Sequence, residues 1–449
     1  MKWIFLLCMT ISAFVPDQKT EPDFTLPDIN TALPLQWQAD IGAGSYRTNV
    51  VCSGNQLYIG SNGRSFMDAN LFDSKGGVYT LNPKTGKIAK QFANEVPGDM
   101  DVNGLLAFEN MLYFGNDNEE ILCTDLEGRE IWRKPVSGDV ESQPVLLDIS
   151  GRKAIVFATE VGEIQAVNPQ NGNTVWAHYT PEFNGWKPGQ NRKVMKVQAY
   201  FRNSESFVTR PIVSHLNGNG VEDLVYRTYD NRIYAVEGKT GNRLYQFDDP
   251  SYFLQAILDV QKRGKRCVTR CILKPSSRAE GEGMFLAEIN NQGQISKKTM
   301  FKQTVSDFSV ESTLVTKQGN VLLPLQNSIL VISPDNTLNT IDRNNLLREE
   351  ERKSTFSTYR SSYITRISTG VFRFGSHRQC IALLNQYDPL VREKGFLEIV
   401  DIEKKEVVVR LQLPDEGEMP PYIGDINGDG KVDLLVSGYG GKLYCYRIS

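Results

Sequence analysis

Residues 162–176 read GEIQAVNPQNGNTVW, and three other stretches repeat the pattern: 76–92 (GGVYTLNPKTGKIAKQF), 120–132 (EILCTDLEGREIW) and 231–245 (NRIYAVEGKTGNRLY). Each is a short strand of alternating apolar side chains, a turn ending in glycine, and a second strand. One such hairpin carries no weight; the period does. The turn glycines Gly86, Gly128, Gly172 and Gly241 stand 42, 44 and then 69 residues apart. The first two intervals match the roughly 40–45 residues of a four-stranded propeller blade, and the third requires an insertion. Degenerate copies follow around Gly293, Asn336 and Lys404.

A second regularity lies four residues past the turn glycine, where Trp132, Trp176 and Tyr245 stand. An aromatic there belongs to the outermost strand and fills the space where blades splay apart. The ends of the chain fit the same scheme. The chain stops at GGKLYCYRIS (440–449), where other copies turn into their final strand, and LPLQWQADIG (33–42) places Trp37 where Trp132 and Trp176 stand. An N-terminal strand that completes the C-terminal blade closes the ring and leaves no open edge. The expected fold is therefore all-β: a single propeller over residues 35–449, with four antiparallel strands per blade and insertions near 181–206 and 343–362. The count is eight blades; seven stays open because the copies between about 250 and 345 are degenerate.

The pattern A-V-[ND]-x-x-[TN]-G-x-x-x-W resembles the PQQ-type β-propeller repeat, strongly from about residue 50 to 250 and weakly beyond. That repeat occurs in quinoprotein dehydrogenases and in the propeller lipoprotein of the outer-membrane barrel-assembly machinery. The resemblance implies a scaffold, and this scaffold hosts many functions.

Composition narrows the classes further. The 449 residues carry 50 Lys+Arg against 53 Asp+Glu, a net charge of −3, which leaves no electrostatic footprint for nucleic acid. A hydrophobic content of 40% with 10% aromatics excludes global disorder. The three histidines, His178, His215 and His377, lie in different regions and argue against a His-rich zinc site. Residues 1–15, MKWIFLLCMTISAFV, place Lys2 before an apolar run too short to span a bilayer, the pattern of an export signal cleaved near Ala13. A buried first strand is the competing reading, and Cys8 raises lipidation without the small residues such a site wants before it. Residues 16–34 read as a polar, Pro-rich linker. No transmembrane segment is expected after signal removal, and the chain is expected to be a monomer. Of the six remaining cysteines, Cys267 and Cys271 share one strand face roughly 13 Å apart, too far for a disulfide, and read as buried free thiols.

The sharpest chemical signal is PYIGDINGDGKVDLLVSG (421–438). Asp425, Asn427, Asp429 and Asp433 supply oxygen side chains at positions one, three, five and nine, with the Lys431 carbonyl at seven. Such a set suits Ca²⁺, which takes six to eight oxygen ligands on a curled loop. The competing reading is an Asx-rich turn without metal. A strand follows where an EF-hand needs a helix, so the context resembles the calcium loops of FG-GAP and VCBS propeller repeats. Residues 215–227 (HLNGNGVEDLVYR) repeat the loop with His215 and Asn219 in place of two acids, and 148–156 (DISGRKAIV) keeps Asp148 alone. A structural, not catalytic, calcium in the last blade is expected, with these two copies weak or empty.

Propeller function sits on face loops and around the central channel. The first insertion mixes Phe183, Trp186, Tyr200 and Phe201 with Lys187, Arg192, Lys193 and Lys196; it reads either as a contact surface for protein or glycan or as a flap packing its own aromatics on the rim. Candidate partner contacts are Phe183, Trp186 and Lys187. The second insertion is charged and helix-prone around Arg348. Quinoprotein enzymes often pack an adjacent Cys–Cys pair on the quinone; none occurs here, so PQQ is disfavoured. No G-x-S-x-G, P-loop, H-E-x-x-H or C-x-x-C spacing supports another chemistry. The expectation is a non-enzymatic exported scaffold, periplasmic or outer-membrane-associated with an extracellular place open, that binds envelope proteins. The alternatives are a carbohydrate-binding propeller or a polysaccharide lyase, with a PQQ-dependent dehydrogenase behind them.

Overall fold

The computed structural model describes residues 33–63, 74–94, 100–192, 210–228, 231–264, 266–276, 283–302, 312–325, 328–342, 363–388, 391–414, 417–438 and 440–448. The expected export signal (1–15, with Cys8), the linker up to residue 32, residues 193–206 of the first insertion and the whole second insertion (343–362) lie outside them.

The described strands form eight antiparallel sheets, the blades of an eight-bladed β-propeller in chain order; each has a four-stranded path, and blade 7 carries a short extra strand, Phe372–Phe374, beside its second. Blade 3 shows the plan: Val145–Ile149, Arg152–Ala158, Glu163–Val167 and Thr174–Tyr179, paired in that order from the axis outward. The first strands surround the axis, since Val50, Leu106, Val145, Ile212, Ile257, Ile367 and Tyr422 all line one axial cavity. Blade 8 is the split blade. Tyr422–Gly424, Asp433–Ser437 and Lys442–Arg447 come from the C-terminal end, and Leu35–Asp40 adds the outer strand, with Trp37 opposite Cys445. Ring closure by the N-terminal strand is thus as the sequence predicts, and the blade count is eight.

Apolar packing explains why the ring is the stable form. Eight buried apolar clusters occupy the eight junctions between neighbouring blades; Trp37, Ala39 and Leu443 of blade 8, for instance, pack with Leu57, Ile59 and Tyr79 of blade 1. A sheet with neighbours on both faces buries both, so the middle strands Glu163–Val167 and Asp433–Ser437 are buried at every position. Outer strands bury one face, as the alternation in Leu35–Asp40 shows.

The turn glycines have two reasons to be glycine. Gly86, Gly128, Gly172 and Gly241 hold φ between 67° and 73°, the left-handed region that other L-residues enter at a cost. Each is also covered by an aromatic of the preceding blade: a Cβ on Gly86, Gly172 or Gly241 would meet the ring of Trp37, Trp132 or Trp176 at 2.4–2.7 Å. Each of these tryptophans then donates its indole N–H to a backbone carbonyl of that same turn (Pro83 2.9 Å, Pro169 2.8 Å, Gly238 2.7 Å). In blade 7 the left-handed turn residue is Lys405, φ 56°, one position beyond the expected Lys404. All six described cysteines are free, as expected for Cys267 and Cys271, but only Cys271 of that pair in Arg266–Pro275 is fully buried; Cys267 is half-buried, its thiol facing the His215 carbonyl at 3.0 Å.

Candidate functional site

Three places bear on the expected function: the loop of blade 8, the rim beside blade 3, and the axial cavity. The loop between Tyr422–Gly424 and Asp433–Ser437 is curled by its own acids. Asp425 accepts from the N–H groups of Gly428, Asp429 and Gly430 at 2.8–3.1 Å, Asn427 from Asp429 at 3.0 Å, and Asp429 from Lys431 at 2.9 Å. Asp433 begins the following strand, fully buried, and neither carboxylate oxygen has a well-aligned hydrogen bond. Its closest cation is Arg447, whose Nε lies 2.9 Å away as an ion pair, while Nη1 of the same guanidinium donates to Asp429 at 2.7 Å. Burial raises the pKa of Asp433; the Lys431 N–H first, then Arg447, lowers that of Asp429.

The donor chemistry fits a hard cation, with three carboxylates, an amide oxygen and a carbonyl on one curl. The structure does not bring the three carboxylates together within 4.8 Å of one another, because Arg447 stands between Asp429 and Asp433. The copy in blade 4 differs where it matters. Asp223 is buried too, yet both its oxygens are used, accepting from Leu216 at 3.0 Å and Gly238 at 3.1 Å. At the position of Arg447 stands Glu237, reached by the Asn219 side chain at 3.4 Å. In the shortest copy Lys153 bonds Asp148 at 2.7 Å.

The described part of the first insertion leaves the end of Thr174–Tyr179 and folds back on blades 2 and 3. The Asn184 N–H donates to Val161 at 3.3 Å, and Arg192 pairs with Glu119 at 2.6 Å. Phe183 packs edge-on against Tyr179 with centroids 4.7 Å apart, and the Lys187 ammonium lies over both rings, at 4.6 Å from Tyr179 and 5.5 Å from Phe183. Phe183 and Lys187 therefore meet. Trp186 is half-buried with its indole nitrogen fully covered and without a hydrogen-bond partner among the described residues. The described aromatics of the segment pack on the rim, as the flap reading expects, and Lys187 caps them on the solvent side.

Reading the sequence missed the axial cavity, about 750 Å³ in volume. Its wall is apolar where the first strands pass, and three arginines line it, Arg47, Arg210 and Arg227, with no carboxylate among the described lining residues. Arg47 is paired with Glu141 and stacks on Tyr46 at 4.4 Å; Arg227 donates to the Gln255 carbonyl at 2.5 Å. Arg210 is open to solvent inside the cavity, yet enough protein surrounds it that desolvation lowers its pKa. The only sequence signal was positional: Arg47 and Arg210 fall just ahead of first strands.

Residues 74–185, from the third strand of blade 1 through blade 3, match the family model described as outer membrane protein assembly factor BamB. Over that stretch the blades match a PQQ-like propeller repeat. A quinoprotein alcohol dehydrogenase, PedH of Pseudomonas putida, is 28% identical over 127 residues, 25% of this chain and 21% of PedH. The chain thus spans about a fifth of the length of that curated relative. Among solved structures, BamB from Moraxella catarrhalis is similar with a TM-score of 0.51 and 10% identity, covering 93% of this PQQ-like propeller and 100% of that chain. A europium-containing methanol dehydrogenase gives 0.55 and 12%, covering 92% and 93%, and Sqt1 of Saccharomyces cerevisiae 0.57 and 12%, covering 93% and 100%. At these identities the likeness is one of fold. No described helix is long and apolar enough to cross a membrane.

Proposed function

We propose that this PQQ-like propeller is an exported, non-enzymatic scaffold that binds protein partners of the bacterial envelope and carries a structural calcium in its last blade. The observation that supports it is a coincidence of position. The stretch matching the assembly-factor family, 74–185, ends inside the segment that presents Phe183 and Lys187 on the rim. An ammonium over two aromatic rings is suited to an acidic or aromatic side chain of a partner. The test is in-cell crosslinking of a tagged copy against an unrelated exported control. Specific recovery of outer-membrane or secretion proteins, lost in Phe183→Ala/Lys187→Glu, supports the reading; recovery equal to the control removes it and turns attention to glycans. The calcium would be held by Asp425, Asn427, Asp429, Asp433 and the Lys431 carbonyl, and would fasten the curl to the strand.

A second reading rests on the axial cavity. Its volume suits a small organic ligand, and three arginines on a partly apolar wall, with no carboxylate among the described lining residues, favour a carboxylate-bearing one. The partial likeness to a quinoprotein makes pyrroloquinoline quinone the first compound to try. Saturable quenching of tryptophan fluorescence, lost in Arg210→Ala, would favour this reading; no saturable quenching removes it.

A further inference from the structure

Blade 7 holds a donor cluster that neither reading uses. His377 opens the strand His377–Asp388, Asp401 closes Val391–Asp401, and Glu406 opens Glu406–Gln412, directly opposite Asp401 in the ladder. Nδ1 of His377 lies 2.9 Å from Asp401 Oδ2 and 3.4 Å from Glu406 Oε1. Among the described residues these three form the one group of His, Cys, Asp and Glu whose donor atoms all lie within 4.8 Å.

We infer that His377, Asp401 and Glu406 form a binding site for a divalent transition-metal ion of the zinc class. The 3.4 Å between His377 and Glu406 is the spacing of two ligands on one ion, since donors about 2.0–2.1 Å from zinc stand roughly 3.3–3.4 Å apart, and the 2.9 Å between His377 and Asp401 needs only a small side-chain adjustment to reach it. Asp401 is prepared as a ligand. Its Oδ1 accepts the N–H groups of Glu403 and Lys404 at 2.9 and 3.0 Å, which aims the buried Oδ2 at the imidazole. Two carboxylates and a neutral imidazole balance a dication. The nitrogen donor selects zinc, nickel or copper over calcium or magnesium, which take oxygen. Glu406 is half-exposed, so the ion closes the site by a rotamer change there, with no movement of the blade. Lys404 holds the place meanwhile, its ammonium 3.4 Å from His377 Nδ1 and 3.7 Å from Glu406; it is 52% exposed on a turn and free to swing out. The ion would staple the turn before His377 to the outer hairpin of blade 7, leaving its remaining coordination positions towards solvent.

The test uses the whole protein, freed of metal by chelation and titrated calorimetrically with Zn²⁺ alone, with Cu²⁺ added separately for electron paramagnetic resonance. One Zn²⁺ per chain, a copper signal with nitrogen coupling, loss of both in His377→Ala, and at least tenfold weaker zinc binding in Glu406→Gln with an unchanged melt are expected. Lys404→Met should bind zinc more tightly than the parent. Zinc binding that His377→Ala and Glu406→Gln leave unaltered, or no binding tighter than millimolar, overturns the assignment.

Discussion

The turn glycines show how one residue type answers to two constraints. At Gly172 the backbone needs φ of 69°, and the Trp132 ring occupies the space a Cβ would take, 2.7 Å away. Gly218, in the blade 4 loop, has a similar φ of 73° with no atom within 4 Å of a built Cβ. The left-handed conformation alone costs a non-glycine residue about 1–2 kcal/mol, and forcing a group into a packed core adds about 1–3 kcal/mol. Gly218→Ala should therefore lose only the conformational amount, and Gly172→Ala about 2–5 kcal/mol in urea unfolding. Equal losses would show that the tryptophan cover is immaterial.

At the scale of the element, the blade 8 loop and its blade 4 copy hold the same curl by different charges. Blade 4 gives both oxygens of its buried Asp223 to backbone donors. Blade 8 sets Arg447 against Asp433 beside the Ile426 N–H, so a cation entering among Asp425, Asp429 and Asp433 has to displace a guanidinium held by two carboxylates. Calcium should raise the melting temperature of the parent and chelation should lower it again. Asp429→Ala should abolish the response, and Arg447→Gln should enlarge it, because the competing cation is gone. An identical melt with Ca²⁺ and with chelator in all three proteins would remove the calcium proposal.

For the whole molecule, closure depends on six residues. Leu35–Asp40 covers the edge of Lys442–Arg447, and Trp37 delivers its ring and its N–H to the blade 1 turn at Gly86 and Pro83. Removing residues 33–40 uncovers a strand edge and opens one of eight blade junctions at once. The truncated chain should melt at lower temperature and elute as oligomers in size-exclusion chromatography with light scattering. Trp37→Phe keeps the strand and forfeits the indole hydrogen bond, worth about 1 kcal/mol; it should stay in the parent's oligomeric state. A truncated chain that melts and elutes like its parent would mean closure lies elsewhere.

What the sequence by itself determined is whatever repeats locally: the hairpin period, the glycine of each turn, the tryptophan four residues on, and the missing strand recognised at the opposite terminus. Those features lie close along the chain and recur, so a single copy could be checked against its neighbours. The Asp425–Asp433 loop was legible for the same reason, its donors being consecutive alternate residues. Tertiary structure alone decided the rest. The arginines of the axial cavity stand on two blades, Arg47 before the first strand of blade 1 and Arg210 and Arg227 on blade 4, and only ring closure faces the two blades towards one space. His377, Asp401 and Glu406 meet because the blade 7 ladder sets Asp401 opposite Glu406 and folds the turn before His377 onto them. Arg447 is the most instructive case. In sequence it is one more basic residue near a C-terminus; strand register places it between two acids of the loop, where it competes for the seat the motif advertises.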